Sequence, residues 1–496
     1  MPSPAQPNIV VIMADQLVPF LTGAYGHQVV RTPNLDRLTE RGVRFDAAYT
    51  PNPLCAPARA ALMTGRYASS IGCFDNAAPF PVDEPTIAHL LTNAGYETAL
   101  CGKMHFVGPD QLHGFRHRLN PDIFPAGMDW VPTVDEHGRF PRGGHAHSYV
   151  PPEVGVRPWT KFLTYDEETA FRATEFIRER ARRPAAEPFF LLASFHHPHD
   201  PFHVTEELWN LYDGAPIDLP EAWDGIDRSA LDRWLDDAHD TSGVDLADPD
   251  AMRALRRAYY GLVTYVDRKV GEIVDALDAT GQLADTVVAF TSDHGDMLGE
   301  RGMVQKRCFY EWSARVPLII SFPDGRGAGS RVVTPVSMMD LAPSLVDLAG
   351  VAPRDRTPMD AESLLPLLDG DRGGSDDARA GARVVYSEYH AEKVHAPAFM
   401  VRRGDHKYVH IHGHGSQLFD LSTDPSERHD LSSHAVAAGV RAELHALLTE
   451  RFDPATLHTA AARSVRRREL VKNAMRRNGT RWDHVPPLAA DDRYVR

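Results

Sequence analysis

Cysteine is scarce in this chain: Cys55, Cys73, Cys101 and Cys308 are all that its 496 residues carry. Four thiols spread so thinly build no disulfide framework, which sets aside the small secreted scaffolds. Long apolar runs are missing too. Ile9–Met13 is too short for a membrane span or a signal-sequence core, and no basic residue precedes it. A cytoplasmic location is therefore expected, with no membrane partner. Positive charge is in deficit, 53 Lys and Arg against 68 Asp and Glu for a formal net charge of −15, which argues against general nucleic-acid binding. Low-complexity tracts and internal repeats are absent as well. What remains is the composition of an ordinary globular protein, 43% hydrophobic and 24% charged. Its length calls for a large domain plus a smaller one.

Four short apolar runs end in residues able to do chemistry. Ile9–Met13 leads into Ala14-Asp15-Gln16, and Thr98–Cys101 into Gly102-Lys103-Met104-His105. Phe189–Phe195 leads into His196-His197-Pro198-His199-Asp200, and Thr286–Thr291 into Ser292-Asp293-His294-Gly295-Asp296. Runs of this length and composition read as buried strands. Helical spacing fills the intervals, at Thr86–Asn93, Asp166–Arg183 and Met252–Ala279. The alternation predicts an α/β fold: a large, mostly parallel sheet sandwiched by helices, with the four polar clusters on one rim. Val316–Phe322 continues that sheet, and Ala222–Asp250, acidic and weakly patterned, reads as a surface insertion. Composition shifts at Asp369–Arg383. The predicted domains are 1–375, catalytic; 376–460, a smaller α+β domain of antiparallel strands; and 461–496, a tail in subunit contact.

Cys55-Ala56-Pro57-Ala58-Arg59 stands at the head of a helical pattern that Gly65 ends. That puts a sulfur nucleophile at a helix N-terminus, where free N–H groups and the dipole favour an anion. Arg59 adds a planar cation that fits sulfate or phosphate. A lone cysteine is more often a small buried hydrophobe, and the other clusters decide against that here. Asp15, Asp293 and His294 form candidate ligands for a divalent metal, with Gln16 adding an amide oxygen; such donors suit Ca²⁺ or Mg²⁺. Lys103 and His105 alternate on one side of an extended segment. With Lys306, Arg59 and Lys103 make a cation cluster suited to a dianionic group. His199 and His105 are the candidate general acid and base; His196 and His197 read as packing.

Taken together, Cys55 to Arg59 with Gly65-Arg66, Gly102-Lys103-Met104-His105, Pro198-His199-Asp200-Pro201 and Ser292-Asp293-His294-Gly295 resemble the sulfatase family of the alkaline-phosphatase-like superfamily. The resemblance runs along the whole chain. It implies that a separate system oxidises Cys55 to formylglycine, whose hydrated aldehyde is the nucleophile, and that the metal is Ca²⁺, with Mg²⁺ or Mn²⁺ as alternatives. His199, assisted by Lys306, then protonates the leaving alkoxide, His105 takes the proton that expels sulfate, and Lys103 screens charge. Ala58 stands where Ser is commoner in the family.

Within the family the chain is similar to choline sulfatases, through Lys103–Phe115, Asp75-Asn76-Ala77-Ala78, Ser194–Pro201 and Trp482–Pro487. Carried over by motif, Asn76, Trp130 and Glu388 become substrate contacts. An indole face suits a quaternary ammonium, and a buried Glu supplies its counter-charge. The resemblance fades between Val131 and Trp159, which includes His145 and His147, and with the sequence running only just past Tyr494, the acidic residue that a family tail contributes is not expected here. The expected partners are a small-molecule sulfate ester and the maturation system, and the expected state is a homo-oligomer, dimer or tetramer. The rival readings are a phosphonate or phosphate monoester hydrolase, an aryl sulfatase, and a non-catalytic anion-binding protein of the same fold.

Overall fold

The structure, a computed structural model, describes residues 6–128, 131, 145–183, 187–223, 225–368, 383–480 and 482. Its largest sheet has eight strands: β1 (Asn8–Asp15), β2 (Gly42–Phe45), β3 (Glu97–Gly102), β4 (His117–Arg118), β5 (Phe189–Pro198), β6 (Thr286–Ser292), β7 (Leu318–Ser321) and β8 (Ser330–Val332). Across the sheet they run β8-β2-β7-β6-β1-β5-β3-β4. β1 lies between β5 and β6, parallel to both, and β3 is parallel to β5. Only β7 is reversed, pairing antiparallel with β6 and with β2. The run expected at Val316–Phe322 thus joins the sheet against its prevailing direction.

Helices cover both faces, which explains why the central strands are continuous apolar runs rather than alternating ones. Val10 and Ile12 of β1 point into a core with Leu191, Ala193, Val288 and Phe290. Against that face pack α4 (Lys161–Ala181), through Leu163, Ala173 and Ile177, and α6 (Pro249–Ala279), through Leu255, Leu262 and Ile273. Ile9, Val11 and Met13 point the other way, as the period of two in a strand requires. There they meet α2 (Cys55–Thr64), α3 (Ile87–Asn93) and α7 (Leu341–Leu348). The first helix, α1 (Pro33–Glu40), is pinned by Asp267 of α6, whose carboxylate accepts the amides of Asn34 and Leu35.

The stretch read as a surface insertion is in part a packed helix, α5 (Ala230–His239). Ser229 opens it with a reciprocal cap: its hydroxyl accepts the Asp232 amide at 3.1 Å and the Asp232 carboxylate accepts the Ser229 amide at 2.9 Å. Leu231 and Leu235 are buried with Phe309 and Tyr310. The acidic residues masked this, since Asp232 is itself buried and accepts the Tyr310 hydroxyl at 2.8 Å.

A second, antiparallel sheet follows: β9 (Val384–Tyr389), β10 (Ala398–Arg403), β11 (His406–Ile411) and β12 (Gly415–Asp420). One face packs on α8 (Ala438–Arg451) through Phe399, Val401, Leu444 and Leu448. The other, through Met400, Val409 and Phe419, shares a core with Tyr49 and Leu54. The small sheet therefore sits directly behind the residue that precedes Cys55. The compositional shift expected at 369–383 lies, up to residue 382, outside the described residues. α9 (Pro454–Asn478) is one unbroken helix across position 460, where the sequence suggested a division.

Candidate active site

The parallel strands β1, β3, β5 and β6 all end on one rim, and they deliver Asp15, Lys103, the His196–Asp200 turn and Asp293-His294 to it. α2 begins on the same rim. Leu54 is extended (φ −152°, ψ 140°), so the chain turns into the helix at Cys55, and Gly65, at φ 65°, ends it. Pro57 sits in the first turn, where a missing N–H costs no helical bond. Every residue of α2 is buried, Arg59 completely.

Arg59 is the hub. Its Nε donates to Asp293 Oδ2 at 2.8 Å, Nη2 to Asp15 Oδ2 at 2.9 Å, and Nη1 to Ser194 Oγ at 2.8 Å and to the Lys103 carbonyl. A buried guanidinium forked across two carboxylates fixes the ends of β1 and β6 relative to each other. Lys103 also pairs with Asp15 and lies 3.7 Å from Cys55 Sγ. Burial raises the Asp15 carboxyl, but Lys103, Arg59 and His294 outweigh it and hold it at about 2. The Cys55 thiol is pushed up to about 11 by burial and by Asp15, against the pull of Lys103 and Lys306. At neutral pH it is a protonated thiol and a weak nucleophile as it stands.

The residues present fit a divalent metal. One ligand atom from each of Asp15, Cys55, Asp293 and His294 lies within 4.8 Å of the others. Asp15 Oδ1 is buried and accepts no hydrogen bond, an open acceptor where a cation would bind. His294 Nδ1 lies 2.9 Å from the Gly295 carbonyl. A carbonyl only accepts, so Nδ1 carries the proton and Nε2, 3.1 Å from Cys55 Sγ, keeps its lone pair. Burial keeps that ring neutral, lowering it to about 4 against the pull of Asp293. Gln16 adjoins the group at φ 64°, with its backbone amide donating to Asp293 Oδ1 at 3.1 Å. Its side-chain amide is engaged elsewhere: the nitrogen donates to Asp296 and to Asp200 at 3.3 Å, and the oxygen accepts from Lys306.

Lys306 Nζ is also 2.9 Å from His199 Nε2, while His199 Nδ1 is 2.8 Å from the Asp200 carbonyl. The same reasoning makes Nδ1 the protonated nitrogen and Nε2 the acceptor of a Lys306 proton. Burial, then Lys306 and Lys103, push His199 well below its ordinary value. His105 is held at φ 55° by Asp122, which accepts its backbone amide at 2.7 Å, and its ring stacks on Phe124 at 4.7 Å. Lys103 Nζ lies 4.3 Å from the centre of that same phenyl ring and His199 6.4 Å, so Phe124 gathers three of the expected residues. Burial also keeps His105 neutral. His196 packs on Phe162 at 4.2 Å, and His197 Nδ1 meets Asp166 at 2.7 Å.

The three expected alcohol contacts are placed differently. Asn76 Oδ1 accepts the Ala56 amide at 3.0 Å, satisfying a first-turn N–H of α2 beside residue 55. Glu388 is fully buried and stands apart, behind Pro51 and Ser69. It accepts the Ser69 amide at 2.7 Å and faces His390 Nε2 at 3.0 Å. Trp130 lies outside the described residues. A cavity of about 360 Å³ is lined by chain neighbours of all three positions: Asp75 and Ala77, His390, Met128 and Val131. α9 closes it with Ala461 and Val465. Of the other two histidines, His145 lies 5.8 Å from His239, and His147, half exposed, lies 3.7 Å from Asp240.

Sequence reasoning assigned no role to several residues that shape this centre. Asp296 stood in a quoted cluster; burial pushes it up to about 6, and Tyr149 donates to it at 2.5 Å. Asp200 carried only the signal of following an apolar run, Ser194 lay inside that run, and Asp122 carried none. Tyr149 and Phe124 carried none.

The sulfatase family's sequence profile matches residues 7–351, and a profile described as N-sulphoglucosamine sulphohydrolase, C-terminal, matches residues 299–453. The chain belongs to the sulfatase family. It is 39% identical, over 99% of its length and 96% of the relative, to a choline-sulfatase of Rhizobium meliloti (strain 1021). A solved structure of a protein in complex with its substrate, D-glucosamine-2-N,6-O-disulfate, superposes with a TM-score of 0.70 at 26% identity, covering 90% of this chain and 97% of that one. The phosphonate monoester hydrolase of Agrobacterium radiobacter superposes at 0.68, also 26% identical, covering 92% and 96%. This sulfatase is a sulfuric ester hydrolase. No described helix is long and apolar enough to cross a membrane.

Proposed function

We propose that this sulfatase hydrolyses a small sulfate monoester, choline sulfate, with residue 55 matured to formylglycine and a divalent metal, Ca²⁺, held by Asp15, Asp293 and His294. The observation that carries the reading is the convergence of Cys55, Asp15, Asp293 and His294 within 4.8 Å, braced by Arg59. When bound and formed, the metal polarises the sulfate oxygens and the matured residue supplies the attacking oxygen. Arg59 and Lys103 hold the negative charge of the transferred group. The leaving alkoxide takes its proton from the Lys306–His199 pair, in which Lys306 carries it and His199 fixes its direction. His105, kept neutral by burial, accepts the proton whose loss expels sulfate.

The choline assignment is supported by the likeness to the Rhizobium enzyme. Phosphonate monoesters are the second reading, favoured by the likeness to the Agrobacterium structure. The Lys103–His105 pair weighs for sulfate. Leu470 and Val471, exposed on α9, support the expected subunit contact.

Two measurements test the reading. Mass spectrometry of the peptide containing residue 55 should find the aldehyde and no thiol that accepts iodoacetamide. Cys55→Ala should lose roughly a thousandfold or more in kcat on 4-nitrophenyl and choline sulfates while keeping its fold. Residual activity above about a tenth of wild type would remove Cys55 from the chemistry. A phosphonate monoester turned over faster than either sulfate would hand the reading to the second class.

A further inference from the structure

α9 reaches the nucleophile through one chain of buried contacts. Arg468, on the face of α9 turned toward the body, donates from Nη1 to Asp75 Oδ1 at 2.7 Å and from Nη2 to Asp75 Oδ2 at 2.5 Å. The pair is buried, Arg468 at 8% and Asp75 at 1% exposure. Asp75 Oδ1 also accepts the Ala77 amide at 2.9 Å, and its carbonyl accepts the Ala78 amide at 3.1 Å. These contacts fix the turn that carries Asn76. Asn76 in turn holds the Ala56 amide, one residue beyond the nucleophile position. A bidentate guanidinium–carboxylate pair sets angle as well as distance, so it orients the turn rather than merely neutralising it.

We propose that Arg468 is a positioning residue of the sulfatase site: acting through Asp75 and Asn76, it fixes the first turn of α2 and with it the aim of residue 55. The inference rests on residue 55 being the nucleophile. It gives the last described helix a part in turnover beyond closing the cavity. A displaced nucleophile costs rate at unchanged contacts to substrate, so the effect falls on kcat more than on KM.

The test is a double-variant cycle on the full-length matured protein, with 4-nitrophenyl sulfate as substrate. Arg468→Gln should lower kcat about tenfold or more with KM little changed, and Arg468→Lys should recover only part of it. Asn76→Ala should show a similar loss, and Arg468→Gln should add almost nothing on that background. Arg467→Gln, an exposed neighbour on the same helix, should keep wild-type kcat. Independent losses from Arg468→Gln and Asn76→Ala, or a loss confined to KM or to thermal midpoint, would overturn the proposal. Should Arg468→Gln fail to fold, Arg468→Lys against Asn76→Ala supplies the same cycle. The mass of the residue-55 peptide, read in every variant, separates lost maturation from lost aim. Full activity in Cys55→Ala would instead sink the reading of the nucleophile.

Discussion

At the scale of single residues, the proposed mechanism puts the leaving-group proton on Lys306 and His199. His199 has one nitrogen committed to the Asp200 carbonyl and offers the other to Lys306 at 2.9 Å. On that reading the two side chains form one proton path rather than two independent acids. Lys306→Ala and His199→Ala should therefore each cost about tenfold more on an alkyl sulfate than on 4-nitrophenyl sulfate, whose leaving group needs little protonation. The double variant should be no worse than the poorer single one. Equal losses on both esters would return the pair to binding. The family resemblance implied that Lys306 assists His199, but residue patterning alone does not reveal their 2.9 Å approach, because 107 positions separate them.

At the scale of elements, α5 is the sharpest departure from expectation. If it were a surface insertion, changes there would stay within about 0.5 kcal/mol. Leu235 is instead 1% exposed among Phe309 and Tyr310. Leu235→Ala should then cost about 2–4 kcal/mol, read as a lower urea midpoint at unchanged slope. The central strands were legible because an apolar run covered on both faces has one explanation and the residues after it face one rim. The direction of β7 was not legible, because an apolar run carries no arrow. β12 is weakly marked in the sequence because Gly415–Asp420 has only Leu418 and Phe419 as apolar residues. The candidate nucleophile, the metal candidates and the cations were read from local motifs. Asp75–Arg468 and the Phe124 hub depend on tertiary approach alone.

At the scale of the whole molecule, the fold shelters histidines that burial keeps neutral. His113, His196 and His239, none of them a candidate ligand, are all held below the ordinary value of 6.5 by burial first. The unfolded chain protonates them as pH falls through 6.5, whereas the folded one resists, so unfolding takes up protons and stability falls toward acid. Each contributes about 1.4 kcal/mol per pH unit below that point while the folded form stays neutral. The thermal midpoint should drop steadily from pH 6.5 downward, and His113→Phe, stacked on Phe80, should shallow that slope by close to one proton. An unchanged slope would mean that His113 already titrates in the folded state. The centre also has a consequence for how the protein is made. Asp293 accepts the backbone amide of Gln16 across 277 positions, and Arg468 meets Asp75 across 393. A chain on the ribosome carries Asp15 for 278 positions and residue 55 for 238 before their partner carboxylate Asp293 is made. The clamp on the Asp75 turn arrives only once residue 468 has been made. On the proposed roles, turnover is a late property of the growing polypeptide, and the newborn chain should stay silent until residue 468 has emerged.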